Sequence, residues 1–303
     1  MRPFFVLIVS CALATVATAA GQRRAEDSGR LVTVSVAVQR ADGAPVAGLS
    51  ADDFEVVSDG KRRAVELDSA GEVPLTIVLL FDLSASTRLD SGAVNKAIDA
   101  FIAALKPGDR ARLGVIAGRV ALGPRFSGDA RELREAGRAL RVPRGEMFGP
   151  SPVWDAIDAA AAALQAEPAR RLVVAVSDGR ATGNARSLTE VSVHALMSGV
   201  SINIVGLASG LVIRQTEKTA ARVRPGILLQ QMADDTGGVC LFDNPAPFSK
   251  PGPLIARIVR AWRQAYTLRF AADVPDGRLH ALQIRVGRSD LSVRAPKAYL
   301  ARF

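Results

Sequence analysis

Three separated segments of this chain carry oxygen side chains in a pattern that could hold a cation. The first is Phe81-Asp82-Leu83-Ser84-Ala85-Ser86-Thr87, which offers Asp82, Ser84 and Ser86. The second offers Ser151 and the third Asp178. Two carboxylates and three hydroxyls form a hard, oxygen-only set, the kind that Mg²⁺ accepts, as do Mn²⁺ and Ca²⁺. In an extended or looping segment the i, i+2, i+4 spacing of Asp82, Ser84 and Ser86 can aim all three side chains to one side. If the segments converge, a metal is held by few side chains and a place is left for a further ligand.

Convergence needs a scaffold, and the hydrophobic pattern supplies one. Leu75–Phe81 is apolar except for Thr76, as in a strand buried on both faces. Leu113–Ala117, Leu172–Val176 and Ile202–Leu207 read the same way. Between them Val94, Ile98, Phe101, Ile102 and Leu105 share one helical face, and Val153, Ile157, Ala160, Ala161 and Leu164 share another. Glu190–Ser198 and Ile227–Asp235 are further helical stretches. The alternation predicts an α/β, Rossmann-like doubly wound, mostly parallel sheet. Ligands of such sheets sit beyond the carboxyl ends of the strands. Asp82 and Asp178 both follow a strand at that end, and Ser151 precedes Pro152, a favoured first helical residue.

Both flanks read as β structure. Val32, Val34, Val36 and Val38 alternate with Thr33, Ser35 and Ala37. Phe54–Val57 and Ala64–Leu67 flank the turn signal Asp59-Gly60 as an expected hairpin. Ser50 to Asp53 could form one helical turn. After a helix over Pro253–Arg263, alternation returns at Tyr266, Leu268 and Phe270, at Leu282, Ile284 and Val286, and at Leu291 and Val293. Neither flank is long enough to bury a core alone, so the two are expected to form one β-sandwich. The expected organisation is a signal peptide over 1–19, a β-rich segment over 20–73, the α/β domain over 74–244, and a helix plus β segment over 245–303 that packs with the first.

The leader has Arg2, an apolar run from Phe4 to Val16, and small residues Ala17-Thr18-Ala19 before the expected cleavage. No later run is long enough to span a bilayer, so the expected product is exported, periplasmic or secreted. Ile8-Val9-Ser10-Cys11 loosely resembles a lipoprotein cleavage site, the alternative leader reading. Cleavage after 19 leaves Cys240 as the single cysteine, so no internal disulfide is expected, and its apolar setting reads as a buried thiol. The net charge of +9 comes without a basic stripe interleaved with aromatics, which argues against nucleic acid as a partner.

The middle zone resembles a von Willebrand factor type A (VWFA) domain with a metal-ion-dependent adhesion site (MIDAS). Asp82-Leu83-Ser84-Ala85-Ser86 matches the first motif of that site. Gly149 to Ile157 resembles the second, with Ser151 where threonine is usual. Val173 to Gly179 matches the third. The resemblance implies that Ser84 and Ser86 bind the metal directly, and that Asp82, Ser151 and Asp178 bind directly or through water. Mg²⁺ retains water positions, so a partner carboxylate could replace one. The flanks, with Val34 to Asp42-Gly43, Gly48 to Val56 and Asp59-Gly60-Lys61 at one end and Arg294 to Tyr299 at the other, resemble a group of exported bacterial VWFA-related proteins known from acidobacteria. The glycine usual in that group's last motif is absent.

The implied function is non-catalytic, metal-dependent capture of a protein partner that offers an acidic residue. The loops Gly118–Phe126, Arg141–Gly149 and Gly210–Pro225 are expected to set specificity, the last carrying Arg214, Lys218, Arg222 and Arg224. Arg180 could attract an acidic partner or be simply solvated. Two other readings stay open. One is a structural scaffold whose metal stabilises or is vestigial. The other is metal-assisted hydrolysis, for which only His194 and His280 are available as imidazoles and no phosphate loop or nucleophile elbow is present.

Overall fold

Strand β5 (Leu75–Asp82) is buried at every position, because it runs through the middle of a sheet covered on both faces. The structure, a computed structural model, describes residues 31–302 apart from 72, 88, 141, 169, 208–224 and 244–248. The expected leader, Cys11 and all but Pro225 of the basic loop Gly210–Pro225 lie outside the described residues. Beside β5 lie β6 (Arg110–Ala117) and β8 (Arg170–Ser177), both parallel to it. The sheet continues through β9 (Ser201–Gly206) to β10 (Cys240–Phe242), and on the other side ends at antiparallel β7 (Arg119–Leu122). The order β10-β9-β8-β5-β6-β7 makes the chain reverse direction across the sheet between β5 and β8. That is the switch point where a doubly wound sheet opens a crevice.

Helices cover both faces. On one side α1 (Ser91–Ala104), α2 (Ala130–Ala139) and α7 (Pro251–Arg263) pack around Phe101, Leu133, Ile258 and Trp262. On the other, α4 (Val153–Leu164), α5 (Leu188–Ser198) and α6 (Pro225–Asp235) pack around Trp154, Ile157, Val191 and Leu229. Asp90 caps α1 by accepting from the Ala93 amide at 2.7 Å, and Ser187 with Glu190 forms a capping box on α5. A single turn, α3 (Arg144–Met147), precedes α4. Helix α7 begins two residues before the expected Pro253. Although it belongs to the C-terminal segment, its apolar face packs on α1 and the central sheet.

The terminal segments form two antiparallel sheets. One has the order β13-β1-β11-β4, from β13 (Leu291–Arg294), β1 (Leu31–Arg40), β11 (Tyr266–Ala271) and β4 (Glu66–Ala70). The other has β14-β12-β2-β3, from β14 (Ala298–Leu300), β12 (Leu279–Val286), β2 (Phe54–Ser58) and β3 (Lys61–Arg63). Val34, Val36, Phe54, Tyr266, Phe270 and Ile284 fill the space between them. The expected sandwich is present, with one correction. The hairpin partner of β2 is Lys61–Arg63, not Ala64–Leu67. The chain changes sheets after Arg63, and β4 pairs with β11 instead. Asp59, at φ 47°, and Gly60, at φ 78°, form a two-residue turn of the kind that matches strand twist, so the hairpin closes at once. Leu67 then turns to the sandwich core from the opposite sheet.

Candidate metal centre

The parallel register of β5 and β8 sets Phe81 beside Val176, so the next residues, Asp82 and Ser177, meet at the sheet edge. The Ser177 hydroxyl donates to Asp82 Oδ2 at 2.7 Å. The Ser84 amide donates to Asp82 Oδ1 at 3.1 Å, and the Thr87 hydroxyl donates to the carbonyls of Asp82 and Ser84 at 2.9 and 2.8 Å. These bonds curl the loop after β5, and the hydroxyls of Ser84 and Ser86 come within 3.2 Å of each other.

Ser151 arrives from the far side of the crevice. Its hydroxyl donates to both Asp82 oxygens at 3.3 Å. Backbone bonds hold it there. The Ala85 amide donates to the Met147 carbonyl, the Gly118 amide to the Pro150 carbonyl, and the Thr182 amide to the Ser151 carbonyl, at 2.9, 2.8 and 2.8 Å. The Ser151 amide donates to Thr182 Oγ1 at 2.9 Å. The Asp155 carboxylate accepts from the amides of Ala185 and Arg186, which ties the loop after β8 to α4.

Asp178 lies one residue past Ser177 on the same edge, 1% exposed. Gly179 follows at φ 73°, a left-handed conformation suited to glycine. A Cβ there would stand 2.9 Å from Leu229 of α6. Asp178 Oδ1 accepts the Arg180 amide at 3.1 Å, and the Arg180 side chain, about half exposed, reaches 3.6 Å from Oδ2. Burial pushes the Asp82 carboxyl above the usual carboxylate range, hydrogen bonds from Ser84 and Ser177 pull against it, and the charge of Asp178 pushes it further.

Four of the five expected residues thus share one hydrogen-bonded cluster, and Asp178 stands on the same edge with its charge felt at Asp82. Ser177 was not among them. Its signal was its place at the last core position of β8, next to Asp178. The donor set fits a hard divalent cation: every side-chain oxygen in it is carboxylate or hydroxyl, and a cation between two buried carboxylates would offset their repulsion. Among the described residues no three His, Cys, Asp or Glu side chains form a metal-ligand group. The histidines are engaged elsewhere. His194 Nδ1 meets Asp158 at 2.6 Å, and His280 bridges Asp59 and Asp276. Cys240 is a free thiol whose pKa burial pushes up to about 12.

The rim departs from the expected loops. Half of Gly118–Phe126 is strand β7, and Arg141–Gly149 contains α3. Phe148, 81% exposed, projects from that second segment three residues before Ser151.

The switch-point crevice, the strand order and the helices on both faces define a VWFA-like fold. Among solved structures the chain is similar to a von Willebrand factor type A protein from Catenulispora acidiphila, with 9% identity, a TM-score of 0.50, and 89% of this chain and 74% of that one covered. It is also similar to the conserved hypothetical protein BatB from Bacteroides thetaiotaomicron (14% identity, TM-score 0.48, covering 62% of this chain and 98% of that one). A third is proximal thread matrix protein 1 from the mussel byssus, described with a zinc-occupied MIDAS motif (15% identity, TM-score 0.49, covering 67% and 48%). No family model and no curated protein matches the sequence.

Proposed function

We propose that this chain is a non-catalytic, divalent-metal-dependent binding module of the bacterial envelope or exterior, and that a carboxylate from a protein partner completes the metal shell. The carrying observation is the oxygen cluster of Asp82, Ser84, Ser86 and Ser151 at the switch point, with Asp178 beside it. Ser84 and Ser86 would hold Mg²⁺, or Mn²⁺ or Ca²⁺, through their hydroxyls. Asp82, Ser151 and Asp178 would hold it directly or through water. When bound, the cation supplies positive charge at an edge whose neutral hydroxyls quench little of it, so a further anionic ligand is attracted. Engagement of both histidines in carboxylate pairs supports a binding role over hydrolysis. The motifs of both flanks support placement in the exported VWFA-related group known from acidobacteria, and the leader pattern supports export. Among the described residues no helix is long and apolar enough to cross a membrane.

One observation favours a scaffold as the second reading: the hydroxyls of Ser151 and Ser177 both donate to the Asp82 carboxylate. The two readings separate in one experiment. Immobilised chain is exposed to envelope proteins with Mg²⁺ and then with chelator, beside Asp82→Ala. The expected result is capture in Mg²⁺ alone, lost in the variant. Capture that survives chelator sinks the adhesion reading. A metal-induced rise in Tm with no metal-dependent partner supports the scaffold.

A further inference from the structure

The opposite end of the central sheet holds a second polar constellation. A cleft of about 500 Å³ opens there between the sandwich and the α/β layer, within the size range of small-molecule sites. Arg170, the first residue of β8, forms part of its wall and is 5% exposed. Its guanidinium donates to Ser35 Oγ at 3.2 Å, the Trp262 carbonyl at 2.6 Å, and the Ala265 carbonyl and Thr267 Oγ1 at 3.1 Å each. All four acceptors are neutral. The neighbouring Arg263 is different, since the buried carboxylate of Asp109 grips it with two hydrogen bonds. The junction therefore buries two guanidiniums and one carboxylate. Burial, and then the charge of Arg263, bring the Arg170 pKa down to about 10.

Three more features point to an anion. Arg171 and Arg302 also line the cleft, close enough that the charge of Arg302 disfavours that of Arg171. The one carboxylate on the wall, Asp68, is paired with Arg269. The hydroxyl of Ser201, a residue 8% exposed on the same wall, has no hydrogen-bond partner among the described residues. The rest of the lining includes Val73, Leu196, Met197, Val200 and Leu300. Positive charge along one wall of a cleft that also carries apolar side chains suits one anionic group on a hydrocarbon body.

We infer that this cleft binds a small apolar carboxylate, with its anionic end toward Arg170, Arg171 and Ser201 and its chain along Met197 and Leu300. The site is separate from the metal edge, because it lies at the amino ends of the same parallel strands. Its test is calorimetric titration of the mature chain in chelator with decanoate, decanol and inorganic phosphate. Decanoate is expected to bind saturably, with decanol and phosphate each at least about tenfold weaker, since each lacks one half of the recognition. The double variant Arg171→Gln, Arg302→Gln is expected to lose about tenfold or more for decanoate at an unchanged Tm. Met197→Trp, which fills the apolar half, is expected to weaken decanoate as well. Absence of saturable decanoate binding by the folded chain, equal binding of decanol, or decanoate binding indifferent to both variants overturns the assignment. The last of these is the behaviour of adsorption to a generally basic surface.

Discussion

The tetrapeptide Val-Ser-Asp-Gly occurs twice, at Val57 to Gly60 and at Val176 to Gly179, and the two copies do different work. In the first, Ser58 bonds the Tyr299 hydroxyl at 2.9 Å, and Asp59 turns the hairpin and accepts from His280 and the Ala281 amide. In the second, Ser177 bonds Asp82 and Asp178 stands at the crevice. Both glycines are left-handed, at φ 78° and 73°. The letters are the same and the local bend is similar. The neighbouring strand makes the difference. β2 ends in a two-residue turn of an antiparallel sheet, whereas β8 ends beside β5, whose last residue is Asp82.

The largest expected effect breaks the pair apart by metal. At Mg²⁺ a hundredfold above Kd, the parent chain gains about 2.7 kcal/mol, read as a rise in Tm. Asp178→Ala abolishes that gain and Asp59→Ala leaves it intact. Equal responses would mean that the copies are not distinguished by a cation. Next comes Gly179→Ala, expected to cost about 2 kcal/mol in denaturant unfolding, from a left-handed backbone plus crowding against Leu229. Gly60→Ala is expected to cost about 1 kcal/mol, because its Cβ meets nothing within 4 Å and only the backbone objects.

The smallest effect is a pH dependence confined to the first copy. Hydrogen bonds to Asp276 and then Asp59 raise the His280 pKa above 6.5, while the same contacts lower those of both carboxylates. The histidine's contribution is complete below about pH 6.5 and fades as pH rises through its higher folded value. The carboxylates' contribution is complete above about pH 4 and fades as pH falls through their lower folded values. Tm against pH is therefore expected to hold a plateau between these limits, and His280→Gln should remove the alkaline decline.

The contrast between the copies also marks what could be read before the fold. The second copy was legible because Leu172–Val176 is apolar on both faces, as in a strand covered on both sides, and the first because Asp59-Gly60 sits between alternating runs. The exit of β4 to the other sheet was not legible, since Glu66–Ala70 alternates equally well for either partner. Nor was α2, half of whose ten residues are charged. Its contact with the layer is Leu133 and Gly137, the latter so close to Ile98 that a Cβ would stand 2.5 Å from it. The Asp109–Arg263 pair and the burial of Arg170 left no local trace, because nothing in a strand-initial arginine tells whether a distant segment will cover it. At the Asp82 edge the residue types were legible, but the Ser177 hydroxyl on Asp82 depended on register between two strands.

The sandwich that joins the two ends of the chain has a consequence for synthesis. Strand β1 finds its partner strands in β11 and β13, and the Tyr266 hydroxyl reaches the Val46 carbonyl across 220 positions. At ordinary elongation rates the valine row from Val32 to Val38 waits roughly 10–50 s for its partner. Closing so long a loop is also slow compared with forming local helices. For that interval β1 is an unpaired apolar edge, open to other chains. Strand β1 is thus made well before the strands that cover it, and a holding chaperone acting on the segment around β1 should raise the yield of folded chain more than one acting on the α/β layer.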